Sequence, residues 1–184
     1  MSHKPQVIAI CGGSGSGKST LAHKFVGGAI VSTDSFYKDI EDLTAFTDGK
    51  PDFDHHSAVD LDACAKACQT LAKGVDVMVP VYDIKTCKRV GSQIIPASPK
   101  NIVVVEGIFA FHSPISEIAT LKIFIDTPID QRMARRLRRD VERGRSTLET
   151  IAWSLNVEAN YARYIEPMRD KADLILMGDE IKFS

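Results

Sequence analysis

Between an apolar run, Val7-Ile8-Ala9-Ile10, and a stretch with helical spacing at Leu21, Ala22 and Phe25 lies Gly12-Gly13-Ser14-Gly15-Ser16-Gly17-Lys18-Ser19. This G-x-x-x-x-G-K-[ST] pattern constrains the chain more than any other segment. It demands a buried strand, a glycine turn and a helix in that order, and the flanking residues supply the strand and a helix over Ser19 to Val26. Glycines let successive backbone N–H groups converge on phosphate oxygens, and the helix start adds its positive end. Lys18 can reach β- and γ-phosphates, while the Ser19 hydroxyl is a hard oxygen suited to Mg²⁺. A merely flexible turn needs neither the lysine nor the hydroxyl, so Gly12 to Thr20 are read as a nucleotide-phosphate site.

The rest of the chain alternates. Ala29-Ile30-Val31 reads as a strand, and Asp39 to Asp54, polar and without a steady period, reads as a mobile surface loop. Leu61 to Lys73 reads as a helix closed by Gly74, followed by a hairpin-like β insertion over about 80–97 built from Val77–Tyr82 and Gln93–Pro96. Ile102–Val105 and Leu121–Ile125 are continuous apolar runs of the kind found inside parallel sheets. Ile129–Val141 is an arginine-rich helix, Thr147–Lys171 a long helical stretch broken near Pro167, and Asp173–Met177 a final strand. The alternation predicts an α/β chain with a mostly parallel central sheet and ligands beyond the carboxyl ends of its strands. A length of 184 residues fits one domain spanning 1–184.

With 23 Lys and Arg against 24 Asp and Glu, the chain has no global field to gather a polyanion, so nucleic-acid binding is not expected. No apolar run approaches the roughly 20 residues of a membrane span, and Met1 to Gln6 leads straight into a strand, so neither membrane association nor a signal peptide is expected. Four cysteines without a CxxC pair indicate a reducing cytoplasm, with Cys64 and Cys68 as small buried hydrophobes rather than metal ligands.

A phosphate loop alone does not choose between kinases, switch GTPases and motor ATPases. The chain contains neither N-K-x-D nor D-x-x-G, which disfavours a GTPase. Asp34 stands just past the second strand, where a carboxylate can take the proton of an acceptor hydroxyl and can help hold Mg²⁺. The lesser reading, compatible with that one, is a helix N-cap, for which Asp is a preferred residue. Glu106 emerges from the buried run Ile102–Val105, the position for an acidic group near magnesium. From Arg132 to Arg145 seven arginines stand against two acids, a density suited to a lid over polyphosphate, with Arg139, Arg143 and Arg145 the first candidates. The lid spans about 130–146, and Gly144 marks its hinge.

Together these residues resemble the uridine kinase (uridine-cytidine kinase) family, within the phosphoribulokinase and uridine kinase group of P-loop kinases. The carriers are Gly12 to Thr20, Ser32 to Tyr37 with Asp39, Phe53-Asp54-His55, Pro80-Val81-Tyr82-Asp83, Val105-Glu106-Gly107-Ile108 with Ala110-Phe111, Arg135 to Arg145, and Tyr164-Ile165-Glu166-Pro167 through Ala172-Asp173. The resemblance implies a three-layer P-loop NTPase fold and ATP-dependent phosphorylation of a pyrimidine nucleoside. Asp34 would be the base for the 5'-hydroxyl and Asp54 the holder of ribose hydroxyls. Tyr37, Phe53, Tyr82 and Cys87 would line the nucleoside pocket, Arg136 and Arg145 would contact substrate or phosphate, and Glu106 would be magnesium-associated.

The chain departs from that pattern in three places. Cys87 stands where the family commonly has a histidine, Asp140 to Arg145 is one residue shorter, and Ser184 follows the last strand without a glycine-rich turn and terminal helix. A related kinase for nicotinamide riboside, pantothenate, phosphoribulose or another alcohol therefore stays open, as does an ATP-sensing binding protein. A homo-oligomer is compatible with either.

Overall fold

The computed structural model describes residues 6–44, 46–47, 49–179 and 181. Readings that fall on Met1 to Pro5 and on Ser184 lie outside these residues. In chain order the elements are β1 (Gln6–Gly12), α1 (Lys18–Ala22), β2 (Ala29–Ser32), β3 (Phe46–Thr47), β4 (Lys50–Pro51), α2 (Leu61–Ala72), β5 (Val77–Asp83) and β6 (Lys88–Ile95). There follow β7 (Ile102–Glu106), α3 (Ile115–Ile118), β8 (Leu121–Asp126), α4 (Ile129–Glu142), α5 (Thr147–Asn160) and β9 (Leu174–Met177).

Five apolar strands pair side by side in the order β2-β7-β1-β8-β9, and every pairing is parallel. Period-two alternation splits their side chains between two faces. Val7, Ala9, Cys11, Val31, Val103, Val105 and Phe124 pack with α2 and α3, while Ile8, Ile10, Val104, Ile123 and Ile125 pack with Ala22 of α1 and with Ile181. This is the expected three-layer α/β architecture. Cys64 and Cys68 are fully buried on the core face of α2, as small hydrophobes. Among the described residues no helix is long and apolar enough to cross a membrane.

The register places the site. Ile10 pairs with Glu106, and Ser32 pairs with the same Glu106, so the carboxyl ends of β1, β2 and β7 finish level. Whatever follows each strand projects from one edge.

Several boundaries differ from the sequence reading. The first helix ends at Ala22, four residues early, because the chain tightens into bonds from Lys24 N to Leu21 O and from Phe25 N to Ala22 O before Gly27 at φ +81. The Asp39 to Asp54 segment carries a 3-10 turn at Ile40–Asp42 and the two-residue ladder β3–β4, with Ala45 and Asp48 outside the described residues. The hairpin spans 77–95, and its strands are longer than the two short ones expected within about 80–97, seven residues in β5 and eight in β6. Thr147 to Lys171 is three successive helix types: α5, whose start carries a Ser146–Glu149 capping box, then π at Tyr161–Ile165 and 3-10 at Glu166–Lys171. Pro167, lacking an N–H, sits in the first turn of that last piece, where no donor is needed.

Candidate active site

The loop after β1 turns over Gly13–Ser16, closed by the Ser16 amide on the Gly13 carbonyl at 3.1 Å. Gly15 has φ +83, and a Cβ there would stand 2.7 Å from the carbonyl oxygen of Arg132, so the loop presses directly on the start of α4. That helix holds the loop by its carbonyls. Arg136 donates to Ser14 O at 3.1 Å, Arg135 to Gly15 O and Ser16 O at 3.3 and 3.2 Å, and Thr127 Oγ1 to Ser16 O at 3.0 Å. In a planar trans peptide N–H and C=O point oppositely, so the Gly15 and Gly17 amides face away from α4. The loop therefore presents donors on one side because arginines occupy its acceptors on the other.

This corrects the reading of the arginine segment. Arg132 and Arg136 are 4% and 0% exposed, sharing the Glu158 carboxylate of α5, and the Arg132 guanidinium also lies 3.7 Å from the centroid of Tyr161. Arg136, expected on substrate or phosphate, braces the phosphate loop from behind. Arg145 stacks over Trp153 at 4.7 Å and stands 3.9 Å from Asp140. Arg138 pairs with Glu142 in solvent.

Lys18 is buried and donates to Gly13 O at 2.8 Å. Burial pulls its pKa down, opposed by the charges of Glu106 and Asp34. Ser19 Oγ donates to Glu106 Oε1 at 3.2 Å. Burial, reinforced by the negative charge of Asp34, pushes the Glu106 carboxyl upward, against Lys18 and the Ser32 and Ser19 hydroxyls. Gly107, at φ +151, lets Thr33 lie against the chain: a Cβ there would meet Thr33 Oγ1 at 1.8 Å. That approach sets the turn Thr33–Phe36, which carries Asp34, beside the end of β7.

Asp34 is the second residue of that turn, its amide bound to Ser32 Oγ at 3.3 Å, so Ser32 is the cap and the Asp34 carboxylate is not spent on capping. It keeps an exposed edge although protein crowds around it. Loss of hydration raises its pKa, and Lys18, Arg139 and Arg143 act against the rise. Lys18, Asp34, Glu106, Arg139 and Arg143 thus form one electrostatic group.

Three residues past Asp34, the Tyr37 ring begins an aromatic pocket. Its centroid lies 5.3 Å from Tyr82, 6.1 Å from Phe53 and 6.4 Å from Phe109, and its hydroxyl donates to Phe53 O at 3.1 Å. The Tyr82 hydroxyl is held in its neutral form by burial and by the neighbouring Cys87 thiol. Asp54 accepts from Asn160 Nδ2 at 2.8 Å; burial raises its pKa, opposed first by that bond. Asp52 accepts from the Asp54 amide at 3.0 Å and from the Tyr164 hydroxyl at 3.3 Å. Phe109, Asn160 and Asp52 were not singled out from sequence. Tyr164 belongs to a quoted block but had no role, and nothing local in α5 marks Asn160 as a partner of Asp54.

The chain matches the model of the Phosphoribulokinase / Uridine kinase family over residues 7–179. A uridine kinase of Staphylococcus carnosus is 36% identical over 92% of this chain and 86% of its own length. Uridine-cytidine kinase A of Dictyostelium discoideum is 38% identical over 94% of this chain, which spans only 36% of that longer protein. Among solved structures, the phosphoribulokinase of Rhodobacter spheroides superposes with a TM-score of 0.61 at 16% identity, over 95% of this chain and 70% of that one, and so shares the fold. Loop, strand-end carboxylates and family model agree over nearly the whole length, and the chain belongs to the phosphoribulokinase/uridine kinase family.

Proposed function

We propose that this chain, as a single domain, transfers the γ-phosphate of ATP to the 5'-hydroxyl of uridine or cytidine. One observation carries the reading: a single 3-10 turn, Thr33–Phe36, holds Asp34 against the Lys18 and Glu106 group and leads directly into Tyr37 of the aromatic pocket. A nucleoside whose base stacks near Tyr37, Phe53 and Tyr82 and whose ribose meets Asp54 would present its 5'-oxygen toward Asp34. The names of the relatives support the acceptor class.

Asp34 accepts the hydroxyl proton as the 5'-oxygen bonds to the γ-phosphorus and the bond to the ADP oxygen breaks. Lys18 and the outward loop amides hold phosphate oxygens, while Arg139 and Arg143 offset charge on the transferring group. Ser19, Glu106 and Asp34 offer only oxygen donors, which suits Mg²⁺. Among the described residues no cluster of three His, Cys, Asp or Glu is spaced to hold a metal ion. When bound, Mg²⁺ neutralises phosphate charge. The expected setting is the cytoplasm.

The test is ADP release with MgATP and a panel of nucleosides and small alcohols, beside Asp34→Asn. Uridine- or cytidine-dependent turnover that falls about 10²- to 10⁴-fold in the variant, with ATP affinity retained, is the expected result. Because loss of hydration pushes the Asp34 carboxyl upward, the acid limb of the rate profile should stand above that of an unperturbed aspartate. Turnover confined to another acceptor moves the substrate. A wild type that binds ATP without any turnover sinks the kinase reading.

A further inference from the structure

The hairpin β5–β6 is antiparallel with one irregularity: Val81 pairs with Gly91, but the next residue, Tyr82, pairs with Arg89, skipping Val90. A bulge of this kind re-aims the side chains beyond it. Directly opposed residues of an antiparallel pair project to the same face, so Tyr82 and Arg89 point together while Val90 is left exposed.

Arg89 spends its donors on one short segment. Its backbone N–H donates to Asp39 Oδ1 at 2.7 Å, Nε to Tyr37 O at 2.9 Å and Nη2 to Phe36 O at 3.1 Å. Nη2 also stands 3.9 Å from Asp60 Oδ2, while Asp60 caps α2 through the Ala63 amide and its own N–H donates to Phe36 O. Phe36 and Tyr37 are the last residue and the cap of the turn that carries Asp34, so the guanidinium closes the carbonyl end of that turn. A planar fork meets two successive carbonyls from separate, rigidly divergent N–H groups; an ammonium carries its three donors on one atom and has no such preset geometry. The hairpin tip is also tied to this segment by Ile40 N to Cys87 O at 3.1 Å, by the Tyr37–Tyr82 ring contact and by the solvent-exposed Lys88–Glu41 pair.

We propose that Arg89 is a positioning residue for the acceptor: it fixes the Phe36–Tyr37 backbone, and through it the placement of Tyr37 against Tyr82 and the aim of Asp34, without touching the phosphate loop. The inference rests on the kinase reading above. Arg89 is partly exposed on a peripheral hairpin, so its loss should leave the sheet folded.

The experiment compares wild type, Arg89→Met and Arg89→Lys, with steady-state constants for uridine and for ATP. Arg89→Met should raise KM for uridine about tenfold while KM for ATP stays within about twofold. Arg89→Lys should recover only part of the loss. Unchanged KM for uridine in Arg89→Met, equal rises in both constants, or full recovery by lysine each overturn the proposal. A wild type inert toward uridine and cytidine is instead a failure of the substrate reading. In that case amide hydrogen exchange decides: Arg89→Met should speed exchange at Lys38, Ile40 and Asp60 and leave residues 7–12 unchanged. Unaltered exchange at those three amides overturns the role of Arg89.

Discussion

The phosphate loop and the aromatic pocket hang from neighbouring strand ends of one sheet and are held in opposite ways. Around the loop, Arg135 and Arg136 of α4 and Thr127 occupy carbonyls, and Arg136 shares one buried carboxylate, Glu158, with Arg132. Around the pocket, rings touch at 5.3–6.4 Å and a half-exposed hairpin is tied down by few polar contacts. Phosphate chemistry requires fixed donors before the substrate arrives. An acceptor must enter and leave, and edges of rings tolerate that motion. The difference teaches that buried ionic groups here serve geometry at the phosphate end, and that the acceptor end is where substrate choice can change at little cost to folding.

Breaking the buried end should have the largest effect. Glu158→Gln removes the charge shared by Arg132 and Arg136 and leaves two guanidinium groups uncompensated, at about 3–5 kcal/mol. Urea unfolding should register that loss, and ATP affinity should fall with it because Arg136 also holds Ser14. A loss below about 1 kcal/mol would mean the loop does not depend on this brace. Next comes Gly107→Ala, whose Cβ would require Thr33 to retreat from a 1.8 Å approach. A cost of about 2–4 kcal/mol is expected, with turnover falling further than ATP binding, since the shift separates Asp34 from Glu106.

What could be read in advance follows the same divide. The loop is contiguous, so its residues are visible together, and Asp34 and Glu106 are visible because parallel strands end level: Ser32 and Ile10 both pair with Glu106. Arg136 misleads because an arginine's partner is not local; its ligands are Ser14, 122 positions earlier, and Glu158, 22 later. The density of positive charge suggested solvent and phosphate, whereas a carboxylate and turned-in carbonyls make burial possible. The pocket of Tyr37, Phe53 and Tyr82 was legible only through family resemblance, since aromatic residues scattered over 46 positions carry no period. Arg89 gave no signal, because the bulge that aims it is a matter of register.

Loosening the acceptor end should have a smaller effect, and a selective one. Tyr37→Leu removes the ring shared by Tyr82, Phe53 and Phe109 and the bond to Phe53 O. KM for the nucleoside should rise about tenfold, or ~1.4 kcal/mol, with ATP binding intact. Equal damage to both substrates would erase the distinction between the two ends.

The smallest effect depends on acid. His56 stacks on His112 at 5.1 Å and lies 4.3 Å from His55, directly beyond Asp54. Burial first, then the neighbouring charges of His56, Lys171 and His55, push His112 down to about 4 from 6.5. The unfolded chain then takes up that proton first as pH falls. Stability is therefore complete above pH 6.5 and is lost as pH drops from there toward about 4. Because the ring is partly solvated, the contribution is on the order of 1 kcal/mol, well under what the shift alone implies. Thermal melting from pH 7 to 4.5 should fall less steeply in His112→Phe, which keeps the stacking ring and removes the proton site. The same slope in both proteins would show that acid acts elsewhere. A flatter slope, with hydrogen exchange rising first around residues 54–58, would place the acid-sensitive seam at the acceptor end, on the side of the molecule that lacks the arginine brace.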